Sequence, residues 1–139
     1  MQEKLEDILK PKSEEDIISS MDDLSPKELF NQSAENGFLP GVKRAIERGV
    51  DIHALDDWAL RWASQYGRYD IVALLLENGA DVHVVVDLPL RWASEMGQYD
   101  IVEILLKHGA NVHADNDYAL RWASENGHYD IVELLKRYT

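Results

Sequence analysis

The sequence predicts an all-α solenoid of helix-turn-helix units with short connectors, preceded by a helical cap. Two observations carry that prediction. LRWAS begins at Leu60, Leu90 and Leu120, and YDIV begins at Tyr69, Tyr99 and Tyr129, so the chain repeats itself every thirty residues without a gap. Within a copy the apolar residues recur at helical spacing: Ile71, Val72, Leu75 and Leu76 share one face. Neither helix of a copy is long enough to be stable alone in water, so each must pack on its partner and on the next copy.

Residues 1–23 lie ahead of the repeats. Leu5, Ile8 and Leu9 share a helical face, and Pro11 ends that segment. Ser13 followed by Asp16 opens a second helix, with Ile17, Met21 and Leu24 on its inner side. Ser25-Pro26-Lys27-Glu28 reads as an N-cap, a proline at the first helical position and a capping-box glutamate, with Leu24 placed to staple onto Leu29. These residues are expected to cap the stack. Residues 24–50 form a degraded copy: Gly37 stands thirty before Gly67, and Gly49-Val50-Asp51-Ile52-His53 matches Gly79-Ala80-Asp81-Val82-His83. Gln32 replaces the tryptophan and Pro40 the aspartate, as an atypical end unit would.

Three close copies follow at 51–80, 81–110 and 111–139. In the first, a front helix is expected from Trp58 to Tyr66, stopped by Gly67, and a back helix from Tyr69 to Asn78, stopped by Gly79. Asp57, Asp87 and Asp117 are the expected N-caps of the front helices. Asp70 suits the positive end of the back helix. In the last copy Lys136 stands where Leu76 stands in the first. A polar residue there suits an outer face, and the array is expected to end with it.

Composition bounds the partners. The chain has 139 residues, 45% of them hydrophobic, which fits one globular domain. The absence of cysteine removes disulfides and thiolate chemistry. No apolar run reaches the ~20 residues of a membrane span, and MQEKLEDILK has no signal-peptide core, so a cytoplasmic location is expected. The formal net charge of −12 opposes direct nucleic-acid binding, which needs lysine and arginine to displace counterions. It is compatible with a basic protein partner, or with a decoy whose carboxylates mimic nucleic acid.

No catalytic constellation stands out, and no cofactor or metal is expected. His53, His83 and His113 recur with the repeat, so they form a ladder whose rungs lie about 8–10 Å apart. One zinc, with ligands near 2.0–2.1 Å, cannot be shared across such a gap, and a structural role is expected. His108 and His128, at variable helix ends, are expected in solvent. An active site is a single asymmetric constellation, whereas these residues recur because each copy solves the same packing problem.

ALRWASENGHYDIVELL, with HGANVHA in the copy before it, resembles the ankyrin repeat, whose usual form reads TPLHLAA, a GH step, a VV-x-LL helix and GADVNA. The resemblance covers residues 24–139 and implies stacked helix pairs, a non-enzymatic role and a protein partner. It places Trp62, Trp92 and Trp122 at the family's buried leucine position, so core packing is expected. It places Arg61, Arg91 and Arg121 at a histidine that braces neighbouring connectors. Arginine could brace likewise, pair with Asp57, Asp87 and Asp117, or form an exposed stripe. The copies are three residues shorter than the usual repeat, so the finger between them is expected to be stubby. Short copies with RWAS-like cores are similar to those of large DNA viruses and phages, in which case the cytoplasm would be a host's.

Scaffold positions repeat, so specificity is sought where the copies differ. The resemblance implies recognition by connector tips and front-helix faces. The expected partner-binding residues are Leu55, Asp56, Trp58 and Tyr66 in the first close copy, Val84, Val85, Val86, Leu88, Glu95 and Met96 in the second, and Asp115, Asn116, Tyr118 and Asn126 in the third. They combine aromatic and soft apolar anchors with a polar rim. Val84-Val85-Val86 is the sharpest departure, because valines in a connector are either an interaction patch or folded inward. A monomer that inhibits or redirects one protein is the expected function. The acidic decoy is the alternative.

Overall fold

The structure is a computed structural model that describes residues 13–139; the segment containing Leu5, Ile8, Leu9 and Pro11 lies outside the described residues. Among the described residues there are nine helices and no strand. They are α1 (Glu14–Met21), α2 (Pro26–Glu35), α3 (Leu39–Glu47), α4 (Ala54–Gln65), α5 (Tyr69–Glu77), α6 (Val84–Glu95), α7 (Tyr99–Lys107), α8 (Ala114–Glu125) and α9 (Tyr129–Lys136). The chain alternates between two layers. The front layer stacks α2, α4, α6 and α8 in order, and the back layer stacks α3, α5, α7 and α9. Each front helix also packs on the back helix that follows it.

The capping signals act as read. Ser13 and Asp16 form one capping box, and Ser25 and Glu28 form another, each side chain bonding the other's backbone N–H. Met21 and Leu24 pack against the core, and Arg44 on α3 reaches Asp22, at the end of α1, at 3.2 Å. Gly67 ends its front helix with φ 76°, and Arg68 N–H closes the turn on the Ala63 carbonyl at 2.9 Å.

The core runs unbroken between the layers. Ile71, Val72 and Leu75 of α5 are fully buried, as are Ile101, Val102 and Leu105 of α7 and Ile131 and Leu135 of α9. The front helices answer with Leu60 and Ala63, then Leu90 and Ala93. The degraded copy fills the equivalent core positions with other residues. Phe30 takes the place of Leu60, while Gly41 and Ala45 take those of Ile71 and Leu75. Gly41 is required there, since a Cβ would lie 2.0 Å from Ser33 Oγ.

The connectors differ from expectation. No projecting finger forms. A turn at Ile52-His53 leads straight into one turn of left-handed backbone: Leu55, Asp56 and Asp57 have φ of 53°, 54° and 49°. Val85-Val86-Asp87 and Asp115-Asn116-Asp117 repeat it. The right-handed front helix begins after that turn, near Trp58. Asp57, Asp87 and Asp117 stand at the N-cap position as expected, but none of their carboxylates accepts from a first-turn N–H of the helix that follows. Their carboxylates point back to the histidine four residues earlier.

Candidate functional site

The connector is built from one histidine, one aspartate and one arginine per copy. His53 Nδ1 lies 2.9 Å from Asp57 Oδ1, and the matching distances are 2.7 Å for His83–Asp87 and 2.6 Å for His113–Asp117. A carboxylate only accepts, so Nδ1 carries the proton in each pair. The second oxygen of Asp57 accepts the backbone N–H of Asp81, in the next copy, at 2.6 Å. Asp87 accepts that of Asn111 at 3.3 Å. The histidine ladder is thus structural. Among the described residues no three His, Asp or Glu side chains gather as metal ligands.

The arginine stabilises the left-handed turn. Arg61 donates from Nε to the Asp56 carbonyl at 2.9 Å and from Nη2 to the Leu55 carbonyl at 2.8 Å. Arg91 holds Val86 and Val85 in the same way, and Arg121 holds Asn116 and Asp115. The expectation that the arginines brace neighbouring connectors or pair with Asp57, Asp87 and Asp117 is corrected: each braces its own connector. The planar fork spans two successive carbonyls, which lysine could not do. Only Arg91 also reaches the following copy, at Asp115 Oδ2, 3.4 Å away.

The tryptophan expectation is also corrected. Trp62 and Trp92 are half-buried and Trp122 is 36% exposed. The inward stripe of the first close copy is Leu60, Ala63 and Ser64, at i, i+3 and i+4. Trp62 falls beside that stripe and lines the front face. It stands 6.3 Å from Trp58, edge to face, and 4.3 Å from Tyr66. Trp58, Arg61, Trp62, Gln65 and Trp92 line a shallow depression of about 290 Å³. Tyr118 and Trp122 continue the aromatic row at 5.8 Å.

The expected partner-binding residues divide by burial. Leu55, Asp56, Tyr66, Val85, Val86, Met96, Asp115, Asn116 and Asn126 are exposed. Trp58, Val84, Glu95 and Tyr118 are half-buried. Leu88 is corrected: at 8% exposure it is a packing residue, turned inward where Trp58 and Tyr118 stay partly open. Glu95 is tied across the copies, accepting the Tyr118 hydroxyl at 2.6 Å. Burial and that carboxylate push the Tyr118 phenol up to about 12, against the opposing charge of Arg91. The Glu95 carbonyl also accepts from Asn126 Nδ2. His128 is not a solvated helix-end residue, because it covers Gly97 and bonds the Glu95 carbonyl at 3.0 Å. His108 is exposed as expected.

No described helix is long and apolar enough to cross a membrane. None of the curated proteins compared with the chain matches it. Two family models do: one of ankyrin repeats in many copies matches residues 60–106, and one of ankyrin repeats in three copies matches residues 86–139. Ankyrin repeats are generally protein–protein interaction modules without enzymatic activity. Together with the in-register copies and the two stacked helical layers, these matches make the chain a member of the ankyrin-repeat family.

Proposed function

We propose that this chain is a non-enzymatic module that binds one specific protein, blocking or redirecting it, through its connector turns and front-helix face. It would act as a cytoplasmic monomer. The observation that carries the reading is where the exposed apolar side chains stand. Leu55, Val85 and Val86 are 74%, 46% and 60% exposed, and all three have left-handed backbone. That conformation costs an L-residue about 1–2 kcal/mol. Asn and Asp tolerate it best, and the third close copy uses Asp115-Asn116. Val85 and Val86 therefore serve neither stability nor solubility. Apolar side chains held out on rigid, strained turns favour recognition.

The test is affinity capture with the intact chain and a Val85→Ser/Val86→Ser/Met96→Ser variant. Leu88 is left alone because it is buried. The expected result is a protein retained at high salt by the intact chain and lost by the variant, with an unchanged urea midpoint. Equal retention by both would end this reading. The net charge of −12 favours a second reading, the acidic decoy. It predicts basic nucleic-acid enzymes captured by both proteins, and only at low salt.

A further inference from the structure

The two grooves between the close copies are not alike, and two positions make the difference: Val85 stands for Asp115 and Leu88 for Tyr118. In the second groove every arm of the arginine is occupied. Arg91 Nε and Nη2 hold the Val86 and Val85 carbonyls, Nη1 lies 3.4 Å from Asp115, and the Tyr118 ring centre is 5.1 Å from the guanidinium carbon. In the first groove Arg61 makes the same two carbonyl bonds, but Val85 occupies the position of Asp115. Among the described residues, no acceptor meets Arg61 Nη1 and no carboxylate pairs with it.

That free edge belongs to a fixed group. Two bonds hold the guanidinium in place, so an incoming acceptor would meet a preorganised donor. Three indoles, Trp58, Trp62 and Trp92, line the same depression and supply apolar surface. A fixed cationic edge beside aromatic walls complements a carboxylate next to an apolar side chain.

We propose that this depression takes an extended acidic peptide segment of the protein partner. A carboxylate of the segment accepts from Arg61 Nη1, and a neighbouring aliphatic side chain packs among Trp58, Trp62 and Trp92. The proposal rests on the partner-binding reading above and names the groove and its chemistry. The net charge of −12 repels such a segment at long range, but exposed charges are screened beyond about 8 Å at physiological salt. Contact with Arg61 therefore carries the selectivity.

The test pans a phage-displayed library of random peptides on the folded chain. The enriched peptides are then titrated against the intact chain, Val85→Asp, Val85→Ser and Trp62→Ala, with tryptophan emission as the readout. Peptides carrying Asp or Glu beside an aliphatic residue are expected. Val85→Asp places a carboxylate in the register of Asp115, closes Arg61 Nη1 from within, and is expected to weaken binding at least about tenfold. Its urea midpoint should not fall, because aspartate tolerates the left-handed turn. Val85→Ser removes the valine without closing Arg61 and should lose clearly less binding than Val85→Asp, and Trp62→Ala should lose binding. Enrichment of Lys- or Arg-rich peptides would overturn the proposal, as would unchanged binding by Val85→Asp. Equal loss with Val85→Asp and Val85→Ser would also overturn it, by putting the contact on the valine and leaving the partner-binding reading intact. If no peptide enriches while a protein is still captured at high salt, the groove assignment fails alone.

Discussion

Asp87 and Asp117 hold the same place in successive copies, yet their side chains are 7% and 48% exposed. Their local structure is nearly the same. Both lie in a left-handed turn, both accept from a histidine four residues earlier, and both precede a front helix whose arginine clasps that turn. What differs is the neighbour. Asp87 also receives the N–H of Asn111, while no described backbone N–H reaches Asp117. The connector is thus a product of its own short stretch of sequence, and its burial is a product of stacking. A residue can be indispensable to its copy or to the stack, and the two roles separate at the last copy.

The largest test of that separation removes the carboxylate. Asp57→Ala should cost about 1–3 kcal/mol, because it leaves the Asp81 N–H without its partner between the copies. Asp117→Ala should cost less than about 1 kcal/mol, because water replaces its partners. Urea denaturation of both variants measures the difference, and equal losses would break the comparison.

The arginine brace comes next. Arg91→Met should cost about 1–2 kcal/mol, since it frees two carbonyls and removes the Asp115 and Tyr118 contacts. Arg121→Met should cost less. Here the urea midpoints should rank in that order, and a reversed ranking would deny the brace its link to the next copy.

A smaller effect sharpens the contrast between turns. Val86→Asn should stabilise by about 1 kcal/mol and Asn116→Val should destabilise by about as much, because the positions match and only the left-handed tolerance differs. Thermal unfolding would register opposite shifts; shifts of one sign would mean that the backbone is not what distinguishes the residues.

The smallest effect is tied to pH. The Tyr118 phenol is held near 12 against an ordinary value of 10, so the folded chain favours its neutral form. Its contribution is whole below pH 10 and fades as the pH approaches 12. Tyr118→Phe should flatten that part of the stability curve. Tyrosinate absorbance in the intact chain should show one late-titrating group that is missing from the variant.

Much of the fold was legible because repetition makes every copy confirm the others. Thirty-residue spacing, helical apolar periodicity and turn glycines set the layers and the helix order, the capping box at Ser25 closed as read, and the helix expected after Ser13 begins there with a box of its own. The connectors were not legible. Three consecutive left-handed residues have no local signature when they read Val85-Val86-Asp87, and the arginine that holds them reaches back five and six residues to main-chain carbonyls. The tryptophans were misplaced because the family position was trusted over periodicity. Leu60, Ala63 and Ser64 already marked the inner stripe, and Trp62 falls outside it. Leu88 failed for the opposite reason: variation between copies marked it as a specificity residue, although an apolar side chain at that site can turn either way. The sequence left Val84-Val85-Val86 open between an exposed patch and inward folding, and the structure exposes Val85 and Val86 while half-burying Val84.

The most direct measurement carries the third copy's Asp115-Asn116 pair into the second, as Val85→Asp/Val86→Asn, and determines its affinity for the protein captured at high salt. The account holds that these valines are kept for recognition at the expense of backbone ease. It predicts at least about a tenfold loss of affinity in a chain that unfolds at a higher urea concentration than the intact one. Affinity within about twofold of the intact chain would contradict it and move recognition off the connectors.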